Sequence, residues 1–109
     1  MKGKIVLVPF PFTDLTSRKL RPALVLYEGE SDVVVAFISS KIPSRPSRLE
    51  VMIDRKNKEF PDTGLKVTSV IRLDKVATIL KAMIVGEIGS VGSELRKEIN
   101  SRIAEVYKI

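Results

Sequence analysis

The chain has no cysteine, no histidine and no tryptophan among its 109 residues. The first two absences remove disulfides, thiolate nucleophiles, Cys/His zinc clusters and every imidazole mechanism, so any chemistry must come from carboxylates, hydroxyls, lysines and arginines. Aromatic residues are sparse, at 6%. A phosphate-cradling Gly-rich loop is also missing, because Gly86 and Gly89 have neither the lysine nor the spacing of a Walker motif. No internal repeat, low-complexity tract or linker divides the chain. The opening Met1-Lys2-Gly3-Lys4 carries positive charge, but the apolar run from Ile5 to Phe12 is short and broken by Pro9 and Pro11. It suits neither a secretory signal nor a membrane span, and a cytoplasmic protein without a membrane partner is expected.

What remains is a compact, basic polypeptide. Apolar residues make up 44% and charged ones 29%, the balance of a globular protein with one domain over 1–109. A domain this small buries only about two-thirds of its unfolded surface, so pairing with a second copy as a homodimer would add to a thin margin. Nineteen Lys and Arg against thirteen Asp and Glu leave a net charge of +6, and the isoelectric point is about 9.8. Such a field draws polyanions, nucleic acid above all. Lys41, Arg45, Arg48, Arg55, Lys56 and Lys58 are opposed locally only by Glu50 and Asp54. That strip can follow a phosphate backbone or can simply be a solvated positive surface.

The hydrophobic pattern predicts mostly strands. Lys4 to Phe10 reads as a first strand and Pro11 to Leu20 as a polar connecting loop. Pro22 to Tyr27 and Val33 to Ile38 form a hairpin around Glu28-Gly29-Glu30-Ser31-Asp32, closed by Ser39 and Ser40. Leu49 to Ile53 alternates as a half-buried strand, and Arg55 to Gly64 is a polar stretch punctuated by Pro61. Separate strands are expected at Thr68 to Leu73 and Val76 to Leu80, with a last one within Ala82 to Ile88. Val91, Leu95, Ile99, Ile103 and Val106 then recur at helical spacing, with Ser90 or Ser93 as N-cap. The sum is a mainly β (α+β) fold, a small SH3-like antiparallel barrel with a C-terminal α-helix.

RNA can be cut without histidine or metal, since its own 2′-hydroxyl is the nucleophile. The protein must then supply a base, charge for the phosphorane oxygens and help for the departing 5′-oxygen. Arg72 and Asp74, two apart on a strand, project from one face and make the best catalytic pair, although the same spacing also describes a surface ion pair. Arg21 stands where a polar loop meets a strand and can fork onto a phosphate, or be solvated. Ser39 and Ser40 offer hydroxyls to a phosphate or to turn backbone. Phe10, Phe12 and Phe37 read as packing residues.

Taken together, Gly3-Lys4-Ile5-Val6-Leu7-Val8-Pro9-Phe10-Pro11-Phe12-Thr13-Asp14, then Leu20-Arg21-Pro22-Ala23-Leu24-Val25-Leu26, resemble the MazF/PemK family of type II toxin–antitoxin endoribonucleases. Ala36-Phe37-Ile38-Ser39-Ser40 and Thr68-Ser69-Val70-Ile71-Arg72-Leu73-Asp74 extend the similarity. The resemblance implies metal-independent cutting of single-stranded RNA to 2′,3′-cyclic phosphate and 5′-hydroxyl ends without a cofactor, by a homodimer that an acidic antitoxin silences. It implies Asp74 as general base, Arg72 and Arg21 as acid or charge stabilisers, and Ser39 as the phosphate contact. RNA would further meet Thr16, Ser17, Arg18 and Lys19 in the first loop, Ser40, Lys41, Arg45 and Arg48 after the third strand, and Thr68 and Val70. The first loop departs from the Glu and Gln that many relatives carry there. Two alternatives stand beside the nuclease: a non-catalytic SH3-like module that binds nucleic acid or protein, and a topoisomerase-poisoning toxin of the same fold.

Overall fold

A computed structural model describes residues 1–10 and 19–109. The backbone forms β1 (Lys4–Phe10), β2 (Lys19–Glu28), β3 (Asp32–Ser39), β4 (Glu50–Ile53), a one-turn helix α1 (Phe60–Thr63), β5 (Ser69–Leu80), β6 (Gly86–Ser90) and a long helix α2 (Ser93–Val106). The strands make one six-stranded sheet in the order β4-β5-β3-β2-β1-β6, every pairing antiparallel. The sheet curls into a half-barrel beside a C-terminal helix, the expected fold class.

Ala23, Leu24 and Val25 are all buried, which strict alternation over a one-faced core would not produce. The reason is that both faces of the sheet are covered. One face gathers Ile5, Leu24, Ala36, Ile38, Val51, Ile53, Ile71 and Leu73 under Val91, Leu95 and Ile99. The other gathers Val6, Val8, Ala23, Val25, Val33, Val35 and Ile79, with Met83 and Ile84 packed against them. Each fully buried Val, Leu or Ile contributes about 1.5–3 kcal/mol, and these clusters hold the strand ends that carry the polar residues.

Several local expectations change. Lys19 and Leu20, expected in a loop, open β2. The stretch expected to be a polar connection contains α1, with Pro61 in its first turn, where a missing N–H costs nothing. Gly64 ends that turn at φ 72°, a left-handed conformation suited to glycine. The helix α2 has Gly92 rather than a serine as N-cap. Its free N–H groups are capped from a distance: Glu59 accepts hydrogen bonds from Glu94 N at 3.0 Å and Leu95 N at 2.9 Å. A Cβ at Gly92 would stand 2.5 Å from Glu59 Cδ and would displace the capping carboxylate. These backbone donors, Glu94 N first, hold the Glu59 carboxyl below its ordinary value.

The segments expected as two strands are one. Phe37 lies opposite Arg72, and Ala36 lies opposite Val76. One step along β3 therefore spans four along β5, and Leu73, Asp74 and Lys75 bow out as a bulge. Leu73 pins it: its side chain is fully buried, its N–H donates to Leu49 O at 2.7 Å, and its carbonyl accepts from the Tyr107 hydroxyl.

Candidate nucleic-acid cleft

The site lies where three strands end or bend together. Ala23 pairs with Phe37 across β2 and β3, so extending that register brings Arg21 beside Ser39. Phe37 in turn pairs with Arg72 across β3 and β5, and Arg72 pairs with Glu50 across β5 and β4. The hairpin registers thus gather residues that are far apart in sequence.

A cleft of about 660 Å³ opens there. Its cations are Arg21, Lys41, Arg72 and Lys75, its hydroxyls belong to Ser39 and Ser40, and its apolar floor is Phe37, Ile38 and Val76. No acidic side chain of the described residues lines it. The Ser39 hydroxyl oxygen accepts the Lys41 N–H at 3.0 Å, which orders the chain turning out of β3. Arg72 is clamped from the side: its Nε stands 3.4 Å from Glu50 Oε2 and 3.5 Å from Asp74 Oδ1. Glu50 is itself held by the Ser47 N–H at 2.8 Å and is only 11% exposed, whereas Asp74 is 37% exposed. The Arg72 Nε is buried and makes these ion pairs without a hydrogen-bond partner among the described residues. The clamp can fix the guanidinium and turn its remaining donors toward the cleft.

The structure therefore brings together Arg21, Ser39, Ser40, Lys41 and Arg72, with Asp74 beside Arg72 but outside the cleft lining. Other residues singled out from the sequence lie elsewhere. Val70 is fully buried, with Ser39 and Met52 as its strand partners, so its side chain cannot meet a ligand. Thr68 is occupied in holding the Arg55 N–H at 3.0 Å. Arg48 pairs with Glu105 on α2, and its carbonyl accepts from Arg102 Nη1 at 2.8 Å. Arg45 is exposed on the loop before β4, and Lys19 is exposed at the start of β2. Phe12, Thr16, Ser17 and Arg18 lie outside the described residues. Sequence reasoning missed Glu50, Lys75 and the floor residues, because strand alternation gives no hint of a bulge or of the cross-strand partner. Phe37, expected to be packing, is half-buried against the second apolar cluster and also forms part of the floor.

Among the described residues no three His, Cys, Asp or Glu side chains gather as metal ligands, and no helix is long and apolar enough to cross a membrane. A cationic cleft with hydroxyls and an apolar floor suits a phosphate chain whose bases can lie against hydrocarbon.

Known proteins have the same architecture. The solved Mycobacterium tuberculosis toxin MazF-mt6 superposes with a TM-score of 0.75 at 21% identity, covering 97% of each chain. An endoribonuclease in complex with its cognate antitoxin, from a mycobacterial species, gives 0.74 at 18% identity, covering 100% of this chain and 95% of that one. A further mycobacterial endoribonuclease gives 0.71 at 17% identity, over 100% and 91%. At these identities the likeness is one of fold. No individually curated protein matches in sequence. The profile of the PemK-like, MazF-like toxins of type II toxin–antitoxin systems matches residues 1–107, and with nearly the whole length accounted for, this chain belongs to that toxin family.

Proposed function

We propose that the chain is a metal-independent endoribonuclease that cuts single-stranded RNA at short sequences, leaving 2′,3′-cyclic phosphate and 5′-hydroxyl ends. The observation that carries this reading is the meeting of Arg21, Ser39 and Arg72, from three different strands, in one cleft that no acidic side chain of the described residues lines. Family membership and the endoribonucleases among the similar structures support it.

The scissile phosphate lies against Arg21 and Arg72, whose charges grow in value as the phosphorane dianion forms, and the Ser39 hydroxyl orients one of its oxygens. Asp74, exposed beside Arg72, takes the 2′-hydroxyl proton while the 2′-oxygen bonds to phosphorus. The bond to the 5′-oxygen breaks, and that oxygen takes up a proton from water as it leaves. Glu50 keeps Arg72 in place when Asp74 turns to the substrate. The cleft also suits an acidic antitoxin segment that inhibits by occupying the RNA site, as the relative solved with its cognate antitoxin supports. The protein acts in the cytoplasm as a homodimer, consistent with its small core.

The test is incubation of the purified protein with mixed-sequence RNA in EDTA, followed by sequencing of the new ends. Cyclic-phosphate ends are expected from the parent, with loss of about 10²–10³ in rate for Arg21→Ala. Parental rates from both Arg21→Ala and Asp74→Ala would overturn these roles. Salt-sensitive RNA binding with no cut product would instead identify a binding module.

A further inference from the structure

We infer that Lys75 is a substrate-contacting residue of the cleft, engaging an RNA phosphate from the last position of the β5 bulge. The inference rests on the nuclease reading above and adds to it a residue that strand alternation hides.

Three observations converge on it. First, Lys75 lines the cleft together with Arg21, Lys41 and Arg72, although its neighbour Asp74 does not. In a regular strand Arg72 and Asp74 would share a face and Lys75 would point away. The bulge spanning Leu73 to Lys75 breaks that alternation, and bulges commonly re-aim a side chain beside a functional site.

Second, the bulge is held from several sides. The Leu73 side chain is fully buried, its N–H is bound by Leu49 O and its carbonyl by the Tyr107 hydroxyl. A lysine two residues on from such an anchor is presented by a fixed backbone, and only its own side chain has to be ordered on binding.

Third, Lys75 is exposed and makes no ion pair among the described residues. The carboxylates nearest along the strands, Glu50 and Asp74, are both engaged by Arg72. Arg72 already has its counter-charges, whereas Lys75 brings to the same cleft a charge that no carboxylate of the described residues compensates. The two cations thus do different work: Arg72 is a fixed fork, and Lys75 is a point charge on a flexible stem that can follow a phosphate.

The experiment measures binding of a 2′-O-methyl RNA oligonucleotide, which cannot be cut, and cleavage of the matching RNA, by the full-length protein. Lys75→Ala should weaken binding about tenfold at low salt, the scale of a charge-assisted hydrogen bond, and the deficit should shrink as salt is raised. Lys75→Arg should bind within about twofold of the parent, because the charge is kept. Lys97→Ala, which removes an exposed lysine on α2 outside the cleft lining, should leave binding and cleavage unchanged. Cleavage by Lys75→Ala, as kcat/KM, should fall at least as far as binding. If the parent binds and cuts while Lys75→Ala matches it in affinity, salt dependence and rate, this inference alone is wrong. A parent that binds no RNA overturns both this inference and the reading beneath it. Loss in Lys75→Ala with no recovery in Lys75→Arg points to packing in place of charge and also overturns it.

Discussion

Salt dependence offers a quantitative test of the cleft, because each uncompensated cation that meets a phosphate releases counterions. Arg21, Lys41 and Lys75 line the cleft without a carboxylate partner among the described residues, while Arg72 already has Glu50 and Asp74. Replacing a carboxylate by a phosphate on Arg72 is an exchange, so three cations rather than four should count. At about 0.7 per phosphate for a single strand, the cleft contributes a slope of about −2 in log affinity against log salt. Raising salt from about 50 to about 200 mM should then cost roughly twentyfold in affinity from the cleft alone. The assay is fluorescence anisotropy with an uncleavable labelled RNA at four salt concentrations. The basic loop adds its own slope, so the decisive quantity is a difference: the double variant Arg21→Ala/Lys41→Ala should flatten the slope by about 1.4. A double variant whose slope stays within about 0.3 of the parent would refute the reasoning, since the backbone would then be held elsewhere.

Other outcomes follow from the anchors around the site. Leu73→Ala empties a fully buried position and should cost about 2–5 kcal/mol in chemical denaturation, with RNA cleavage reduced in the fraction that stays folded; unchanged stability would mean that the bulge is not pinned there. Tyr107→Phe removes the hydroxyl that binds Leu73 O and should cost about 1 kcal/mol, again by denaturant midpoint, with RNA affinity lowered as Lys75 loses its fixed support. The capping carboxylate gives a pH dependence of known sign. Glu59 is held below its ordinary value of 4.5 in the folded chain, so its stabilisation is complete above that value and fades as pH falls through the lower folded one. Acid titration monitored by circular dichroism should therefore show a steeper loss of stability below about pH 4.5 in the parent than in Glu59→Gln, which keeps the loss from Glu28, itself held low by the N-terminal ammonium and Lys81; parallel curves for the two proteins would contradict the capping role.

The strands were legible because apolar periodicity is a local property. The first strand, Lys4–Phe10, is built on the Ile/Val run from Ile5 to Val8, and the long helix follows the i, i+4 spacing of Leu95, Ile99 and Ile103. Even the interruption between Leu73 and Val76 was visible in the pattern as a gap between two strands. Its meaning as a bulge in one strand was not, because a bulge is defined by the partner opposite it. The helix cap was misjudged for the same reason. Serines flank the helix in sequence, but the capping carboxylate comes from Glu59, 35 residues upstream of Glu94.

The residues by themselves thus determined the fold class, the basic character, and a chemistry limited to Arg, Lys, Ser and carboxylate, because composition and short-range pattern depend on no distant contact. Only the tertiary structure decided which of those side chains share a surface. Strand register drew Arg21, Ser39 and Arg72 into one cleft, buried Val70, tied Arg48 to α2 and exchanged Asp74 for Lys75 in the lining. Register is set by pairings between segments tens of residues apart, and a shift of one residue turns every side chain to the opposite face.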